Sequence, residues 1–271
     1  MSDFVASDGV RLAYRVVGEG PALILHMGAG CDSRLWTAAG YAEPLSRSYS
    51  CVLFDHRGHG ASDKPRGSAS YRIDRLTDDL VELLDHLKID SAAFWGYSSG
   101  ISPGVRLAER EPERTWALIG SGSVGPPDTP EELARWVTET TAEFRAHGWE
   151  RLIERFERQE RTPIPEWMTA SIRATDVEQY VDLVASCPDW HWEEWDVLPT
   201  LRVPTLFLTG ELEDPDDAVG AMVDRMPKAE RVRLTGLGHI NAFLATTQVL
   251  PRVERFLDRH RPRGSSAGDV H

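Results

Sequence analysis

Apolar positions in the first part of the chain fall into short runs separated by polar and glycine-rich turns. Residues 10–18 alternate between apolar and polar side chains and lead into Gly-Glu-Gly-Pro, which predicts an early strand followed by a hairpin. Residues 22–26 and 51–55 are short apolar runs, as expected for strands that are buried on both faces. Residues 33–49, between these two runs, are compatible with a helix.

Helical periodicity appears in the segments that follow. Residues 71–89 carry one apolar stripe at spacings of mostly three or four residues, formed by Ile73, Leu76, Leu80, Leu83, Leu84 and Leu87. Residues 91–96 and 116–122 predict further buried strands. Between them, residues 101–111 predict a helix that ends before Pro112. Strands and helices that alternate with short loops predict a parallel sheet covered by helices.

The pattern changes after the glycine- and proline-rich residues 120–130. Two long helical stretches follow, at about 131–160 and about 164–187, with no strand between them. Strand and helix patterns then resume at residues 204–210, 231–236 and about 243–260. A helical insertion therefore interrupts one sheet domain, which continues after it.

These elements predict one discontinuous domain with a helical cap. We expect the core to comprise residues 1–125 and 197–262, and the cap to comprise residues 126–196. Residues 263–271 are polar and rich in glycine and serine, so we expect them to form a disordered tail.

The composition is that of an ordinary globular protein with an acidic surface. The chain has 271 residues, of which 41% are hydrophobic and 27% are charged, so it can bury a substantial core. The net charge of −13 disfavours nucleic acid or an anionic membrane as the main partner. No apolar run is long enough to span a bilayer, and no signal peptide is apparent. We expect a small-molecule ligand, and a monomer or homodimer.

The three cysteines, Cys31, Cys51 and Cys187, argue against a disulfide framework or a zinc site. Their number is odd, and no two of them form a C-x-x-C pair. This usage fits reduced thiols in a cytoplasmic protein.

A candidate nucleophile, Ser98, stands between two glycines in the stretch WGYSSG. Gly96 and Gly100 complete a G-x-S-x-G pattern that follows a predicted strand and precedes a predicted helix, the context that makes the motif informative. Residues without side chains let a strained turn close so that Ser98 Oγ projects from it. The start of the helix also offers N–H groups to a developing oxyanion. Without this context the motif fits an ordinary serine in a glycine-rich loop.

A serine nucleophile needs a base, and His239 is the best placed of the nine histidines. It follows the last predicted strand, at the carboxyl edge of the sheet where Ser98 must lie. The base needs an acid that fixes its tautomer. The loop after the strand at 204–210 offers Glu211, Glu213, Asp214, Asp216 and Asp217, of which at least four must belong to a solvated acidic loop.

Five motifs, in order, resemble those of the α/β-hydrolase-fold superfamily of capped, cofactor-free serine hydrolases. LILHMGAG resembles its oxyanion strand and loop, FDHRGHGASD its D-x-R-G-x-G-x-S turn, and WGYSSG its nucleophile elbow. PTLFLTGELEDP is similar to its acid-bearing strand 7, and LGHINAF to its histidine loop. The resemblance covers nearly the whole chain. It implies a mostly parallel eight-stranded sheet flanked by helices, with a helical cap inserted after strand 6.

Carried over to this sequence, the resemblance implies a triad of Ser98, Asp214 and His239. In the family's usual G-x-x-D-P spacing the acid lies three residues after the glycine, where this chain has Glu213. Asp214 keeps the Asp-Pro pair, one residue later. We expect Asp214 to be the acid, with Glu213 as the alternative.

The resemblance also implies an oxyanion hole formed by the backbone N–H groups of Gly28 and Ser99. Met27 departs from the family's pattern because it stands where glycine is usual. Since the donor is a backbone group, Met27 need not abolish the hole. We expect its side chain to narrow the acyl pocket or to shift the loop.

Tryptophans are concentrated in and just after the insertion: Trp136, Trp149, Trp167, Trp190, Trp192 and Trp195. Ligand pockets are mostly apolar, so this concentration favours a bulky apolar or aromatic substrate. We expect Trp136 and Trp167 to line the substrate pocket together with Met27 and Tyr97. The alternative is that the tryptophans only attach the cap helices to the core.

The resemblance implies acyl transfer by a serine hydrolase that needs neither a metal nor a cofactor. We expect hydrolysis of an ester or lactone through an acyl-enzyme, on a small apolar or aromatic substrate. The alternatives are a carbon–carbon bond hydrolase, a perhydrolase or a ligand receptor without turnover on the same fold. Dinucleotide binding by residues 28–33 is disfavoured, because Ser33 replaces the third glycine and Asp32 would set an anion near the pyrophosphate.

Overall fold

An eight-stranded sheet forms the centre of the protein. The computed structural model describes residues 1–122, 129–190 and 197–262. The strands are β1 (Ser2–Val5), β2 (Arg11–Val17), β3 (Ala22–His26), β4 (Ser50–Asp55), β5 (Ala92–Tyr97), β6 (Thr115–Ser121), β7 (Thr205–Gly210) and β8 (Ala229–Leu234).

The strand order is β1-β2-β4-β3-β5-β6-β7-β8. β1 pairs antiparallel with β2, and β2 pairs antiparallel with β4, while all the other neighbours are parallel. Strands β3, β4 and β5 are buried at every position, because crossover helices cover both faces of a parallel sheet. The predicted α/β fold with a mostly parallel eight-stranded sheet is confirmed.

Eleven helices accompany the sheet in the part of the chain that the structure describes. Those before β7 are α1 (Arg34–Ala38), α2 (Ala42–Leu45), α3 (Ile73–His86), α4 (Ser102–Arg110), α5 (Pro130–His147), α6 (Glu150–Glu160), α7 (Glu166–Arg173) and α8 (Val177–Ser186). Those after β7 are α9 (Ala218–Val223), α10 (His239–Leu244) and α11 (Thr246–His260). A 3₁₀ turn at Ser98–Ile101 joins β5 to α4.

Two apolar clusters lie on opposite faces of the sheet, because successive side chains of a strand point to opposite sides. Leu23 and Leu25 of β3 belong to one cluster together with Phe256 of α11. Ile24 belongs to the other together with Leu80 of α3. Leu80, Leu83 and Leu84 of the predicted apolar stripe therefore pack on one face of the sheet, and the last helix packs on the other. Ile73 and Leu76, at the start of the stripe, belong to a third apolar cluster with Leu183 of α8.

Within the described residues, four helices, α5 to α8, lie between β6 and β7 in place of the two long helices expected there. Gly148 adopts a positive φ of 60°, a left-handed conformation that ends α5 and that glycine tolerates best. Asp176 caps α8 by accepting a hydrogen bond from the N–H of Glu178, so a new helix starts there. The expectation of single helices over 131–160 and 164–187 is wrong in these two respects.

Side chains of α7 and of the segments next to α6 and α8 pack against the loop after β3. The indole of Trp149 lies over Gly30, where an added Cβ would come within 2.6 Å of the ring. Thr175 Oγ1 donates to the Gly30 carbonyl at 3.2 Å, and Ser171 Oγ donates to Asp32 Oδ2 at 2.9 Å. These contacts hold the helices after β6 next to the loop formed by residues 26–32.

Several predicted boundaries lie outside the described residues. They include the junctions at residues 125 and 126, the cap's last residue 196, and the tail at 263–271. β1 and α9 were not foreseen, since each is short: 4 and 6 residues. Within the described ranges, no helix is both long and apolar enough to cross a membrane.

Candidate active site

Ser98 lies at the sharp turn between β5 and the 3₁₀ turn that leads into α4. Its φ of 55° is in the left-handed region, which is strained for a residue with a side chain. The flanking glycines make this turn possible. A Cβ on Gly96 would come within 2.5 Å of the Gly100 carbonyl oxygen, and one on Gly100 within 2.6 Å of the Met27 carbonyl oxygen. The geometry is that of a serine raised on a strand-to-helix elbow.

His239 begins α10, just after β8, and its ring contacts two aromatic side chains. The ring of Phe156 from α6 stacks on the imidazole, with 5.3 Å between the ring centroids and an interplanar angle of 7°. Tyr97 contacts the imidazole as well, with 5.2 Å between the centroids. These contacts fix the plane of the imidazole.

The imidazole is paired with Glu213, from the loop after β7. His239 Nδ1 and Glu213 Oε2 are 2.7 Å apart, and the Glu213 side chain is only 2% exposed. The other carboxylate oxygen, Oε1, accepts a hydrogen bond from the N–H of Gly210 at 2.6 Å. A carboxylate held in this way fixes the tautomer in which Nδ1 carries the proton and Nε2 is free to act as a base.

The expectation that Asp214 contacts the histidine is wrong. The Asp214 carboxylate accepts hydrogen bonds from the N–H groups of Ala218 and Val219, at 2.8 and 3.1 Å. It therefore caps the start of α9 and satisfies N–H groups that lack a partner within the helix. Glu213, the alternative acid, is the residue that the structure places against His239.

Gly28 approaches the serine elbow closely. A Cβ at Gly28 would lie 2.8 Å from Ser98 Cβ and 3.3 Å from the backbone nitrogen of Ser99. Among the described residues, none accepts a hydrogen bond from the Gly28 N–H. The Ser99 hydroxyl has a further contact that the sequence did not indicate, since its Oγ accepts the N–H of Ala29 at 2.9 Å. The loop and the elbow are thus tied together with the Gly28 N–H available for an oxyanion.

Three buried histidines stack behind this loop. The ring centroids of His26 and His56 are 4.8 Å apart, and those of His56 and His59 are 3.8 Å apart. His59 Nε2 accepts the N–H of Gly30 at 2.9 Å, which assigns the proton to Nδ1, beside the Arg57 carbonyl. Burial lowers the pKa of His59 to about 4 and that of His26 to about 3. These side chains are therefore neutral at pH 7 and support the loop without charge.

Tyr97 lines the cavity beside Ser98, and it also supports the histidine. Its hydroxyl donates a hydrogen bond to the backbone carbonyl of His239. Its ring packs against Phe243 of α10, with 4.7 Å between the centroids. Burial, together with the nearby Glu213 carboxylate, raises the pKa of Tyr97 well above its ordinary value, so the hydroxyl stays protonated.

A cavity of about 470 Å³ opens above these residues, with Ser98, Ser99, Gly28 and His239 in its wall. No hydrogen bond joins Ser98 to His239 in the part of the chain that the structure describes, and such bonds are often long before substrate binds. The remaining wall is largely aromatic and aliphatic, and it includes Trp136, Trp149, Phe156, Met168, Ile172 and Trp190. The cavity can therefore hold a small, mostly apolar ligand with its carbonyl at Ser98.

Two of the expected pocket residues do not line this cavity. Met27 is 1% exposed and belongs to the apolar core, because the chain turns its side chain under the loop. Trp167 is 38% exposed on α7, whose buried positions are Met168, Thr169, Ser171 and Ile172.

The other two expected pocket residues, Trp136 and Tyr97, do line the cavity. Trp149 and Trp190 also line it, and the sequence analysis missed them as wall residues. Helical spacing within the insertion offers a signal for Met168 and Ile172, four residues apart, but no sequence signal singles out Trp149.

No group of three or more His, Cys, Asp or Glu side chains suited to a metal ion occurs within residues 1–122, 129–190 and 197–262. The thiol of Cys31 lies in the cavity wall. Burial, with the nearby Asp32 carboxylate, raises the pKa of Cys31 to about 12, so this thiol is a poor nucleophile at neutral pH.

A known protein family matches most of the chain. The sequence profile of a family described as "alpha/beta hydrolase fold" matches residues 21–246. The chain is 39% identical over 114 residues to 3-oxoadipate enol-lactonase 2 of Acinetobacter baylyi (strain ATCC 33305 / BD413 / ADP1), an alignment that covers 41% of this chain. The chain spans 41% of the length of that relative.

Solved structures resemble the protein over almost its whole length. A thermophilic esterase from Thermogutta terrifontis matches with a TM-score of 0.82 at 24% identity, covering 97% of this chain and 100% of the esterase. The enol-lactonase from Burkholderia xenovorans LB400 matches with a TM-score of 0.77 at 24% identity, covering 95% and 100%. At this identity the likeness shows a shared fold.

Proposed function

Because the chain belongs to the alpha/beta hydrolase fold family, we propose that it is a serine hydrolase that cleaves an ester or lactone through an acyl-enzyme. The proposal rests on one observation above the others. The Glu213–His239 pair, with 2.7 Å between Oε2 and Nδ1, borders the same cavity as a serine in a strained left-handed conformation. That the named relatives include an enol-lactonase and an esterase supports this reaction class.

In the first step, Ser98 Oγ attacks the carbonyl carbon of the substrate while His239 Nε2 takes its proton. Glu213 accepts the hydrogen bond from Nδ1 and stabilises the imidazolium that forms. The π electrons of the carbonyl move to its oxygen, which becomes an oxyanion. The backbone N–H groups of Gly28 and Ser99 stabilise this charge.

The tetrahedral intermediate then collapses to the acyl-enzyme. The bond to the leaving oxygen breaks, and the imidazolium of His239 returns its proton to that oxygen. A water molecule then attacks the Ser98 ester while His239 accepts a proton from the water, and the acid is released. With a lactone the leaving alcohol stays attached to the acyl chain, so the product is one hydroxy acid.

The cavity is suited to a substrate whose acyl or alcohol group is small and mostly apolar or aromatic. Its volume of about 470 Å³ and its aromatic wall suit such a ligand. The helix α6 adds two polar side chains to the cavity wall, Arg155 and Gln159, beside Phe156 of the same helix.

The test is a turnover screen with p-nitrophenyl esters of increasing chain length, with aliphatic and aromatic lactones, and with carbon–carbon diketones. We expect hydrolysis by the wild type, and a loss of at least about 10⁴-fold in kcat/KM for Ser98→Ala. A fluorophosphonate should label the wild type at Ser98. Absence of both turnover and labelling would overturn the proposal, and cleavage of carbon–carbon diketones alone would redirect it to that reaction class.

A further inference from the structure

A buried carboxylate from the insertion reaches the histidine loop. Glu160, the last residue of α6, is 6% exposed. Its carboxylate accepts hydrogen bonds from three backbone N–H groups: that of Gly238 at 3.2 Å, that of Ile240 at 2.7 Å and that of Asn241 at 3.4 Å. These N–H groups flank His239 on both sides. The carboxylate therefore holds the backbone segment that carries the imidazole in place.

Gly238 leaves room for this carboxylate because it has no side chain. It is the N-cap residue of α10 and has no side chain of its own with which to cap the helix. A Cβ at this position would come within 2.6 Å of Glu160 Oε1. The capping group that most helices take from their own N-cap residue thus comes here from a helix 78 residues earlier in the chain.

Within the described residues, only backbone N–H groups donate hydrogen bonds to the Glu160 carboxylate. No lysine, arginine or histidine in the described part of the chain forms an ion pair with it. A buried carboxylate is costly unless hydrogen bonds satisfy it, and charge-assisted hydrogen bonds are shorter and stronger than neutral ones. The arrangement is therefore stiff: a displacement of the loop would leave the carboxylate without its donors.

The same end of α6 holds the other parts of the site. Phe156 stacks on the His239 ring, with 5.3 Å between the centroids. Gln159 Nε2 donates to the carbonyl of Leu212, the residue before Glu213, at 2.9 Å. One helix end therefore touches both the backbone that carries the base and the loop that carries its acid. Phe156 and Gln159 also form part of the cavity wall.

We propose that Glu160 is a positioning residue for His239. It fixes the backbone of residues 238–241 so that the imidazole stays aligned with Glu213 on one side and with Ser98 on the other. The role rests on the proposed serine-hydrolase function, since alignment of the base matters only if His239 transfers protons. Glu160 itself does not touch the substrate, because it is absent from the cavity wall and the histidine loop covers it.

The test compares Glu160→Gln and Glu160→Ala with Glu154→Gln, a control on the same helix whose side chain is 56% exposed. Glutamine keeps the shape and one acceptor oxygen, but it turns an N–H₂ group toward N–H donors. We expect kcat to fall about 10-fold for Glu160→Gln and about 100-fold for Glu160→Ala, the scale of a small misplacement of a catalytic group. KM for a p-nitrophenyl ester should change less than about threefold, because the cavity wall is intact. Glu154→Gln should match the wild type.

A merely structural cap would give a different result. If Glu160→Gln lowers the melting temperature but keeps the wild-type kcat at a temperature where circular dichroism shows it folded, the positioning role is wrong. Amide hydrogen exchange at residues 238–241 provides a readout that needs no substrate. It should speed up in Glu160→Gln and not in Glu154→Gln, and unchanged exchange would also overturn the proposal. A wild type without turnover or fluorophosphonate labelling refutes the serine-hydrolase function instead, while the exchange result still decides whether Glu160 holds the loop.

Discussion

The two sides of the cavity are built on different physical principles. On the histidine side, the buried carboxylates Glu213 and Glu160 hold the imidazole and its backbone through hydrogen bonds. On the serine side, no carboxylate forms a hydrogen bond with residues 96–100 in the described part of the chain, and close backbone packing at Gly28 and Gly100 shapes the elbow instead. Neutral histidines such as His59 support that loop from behind. Charge therefore orients the base, whereas steric fit orients the nucleophile and the oxyanion donors.

The two sides should therefore tolerate different kinds of change. Removing a charge should disturb the histidine side strongly, since a buried hydrogen-bonded carboxylate has no equivalent neutral substitute. Adding one methyl group should disturb the serine side strongly, since its backbone approaches leave no room for a Cβ. Substitutions on each side and a change of pH distinguish the two principles.

The largest effect is expected from Glu213→Gln. The amide removes the charge that stabilises the imidazolium and permits the wrong tautomer, so we expect kcat to fall by about 10³- to 10⁴-fold. Its neighbour provides the matched control. Asp214→Asn should keep nearly wild-type kcat and lose about 1 kcal/mol of stability, because Asp214 only caps α9. Steady-state kinetics and urea unfolding check both, and a larger loss of kcat in Asp214→Asn would contradict the assignment.

The next effect is expected from Gly28→Ala. The new Cβ would lie 2.7 Å from the Tyr97 carbonyl oxygen and 2.8 Å from Ser98 Cβ, so the loop must move away from the elbow. Displacing one oxyanion donor should lower kcat by about 100-fold. Gly40→Ala is the control: its φ of +83° makes the substitution strained, but nothing lies within 4 Å of the added Cβ. It should cost some stability and leave kcat unchanged.

Acid should lower the free energy of unfolding through the buried histidines on the serine side. In the native state burial holds the pKa of His59 at about 4, below the ordinary value of 6.5. Between these values the unfolded chain binds a proton that the native chain does not, so stability falls as the pH drops from 6.5 to 4. His59 alone would contribute a loss of up to about 3 kcal/mol. Urea unfolding at several pH values should show this slope, and His59→Gln should flatten it.

His147→Gln serves as the control for the acid experiment, because His147 is exposed at the end of α5. It should leave the slope of stability against pH as it is in the wild type. Equal slopes in wild type and His59→Gln would contradict the contribution assigned to His59.

The smallest effect concerns the cavity wall. Trp136 and Trp167 are exposed to a similar extent, 40% and 38%, but only Trp136 borders the cavity. We expect Trp136→Ala to raise KM several-fold for aromatic or long-chain esters and to spare short esters. Trp167→Ala should leave KM unchanged for all of them. Equal effects of the two substitutions would mean that the wall does not select the substrate.

The sequence predicted the serine and the histidine because both belong to local patterns. Ser98 needs glycines at fixed spacing in a strand-to-helix turn, and His239 comes after the short loop that follows the last strand. The sequence could not decide whether Glu213 or Asp214 contacts the histidine. The two are adjacent, and the turn that points Glu213 at the imidazole depends on the hydrogen bond from the N–H of Gly210 and on the start of α9.

The insertion was the least predictable region. Its helical periodicity was clear, but the breaks at Gly148 and Asp176 and the direction of each tryptophan depend on packing against the core. Glu160 carries no motif, and its partners lie 78 residues or more away in the sequence. Such a contact forms only when segments that are distant in sequence pack together, so no local sequence pattern predicts it.

The rate of fluorophosphonate labelling, with the modified residue identified by peptide mass spectrometry, tests whether Ser98 is a nucleophile activated by His239 and Glu213. We expect an adduct on Ser98 in the wild type and in Asp214→Asn at similar rates. Labelling should be strongly slowed in Glu213→Gln and absent in Ser98→Ala. An adduct on another residue, or labelling that is fast in Glu213→Gln and slow in Asp214→Asn, would contradict this assignment of the nucleophile and its acid.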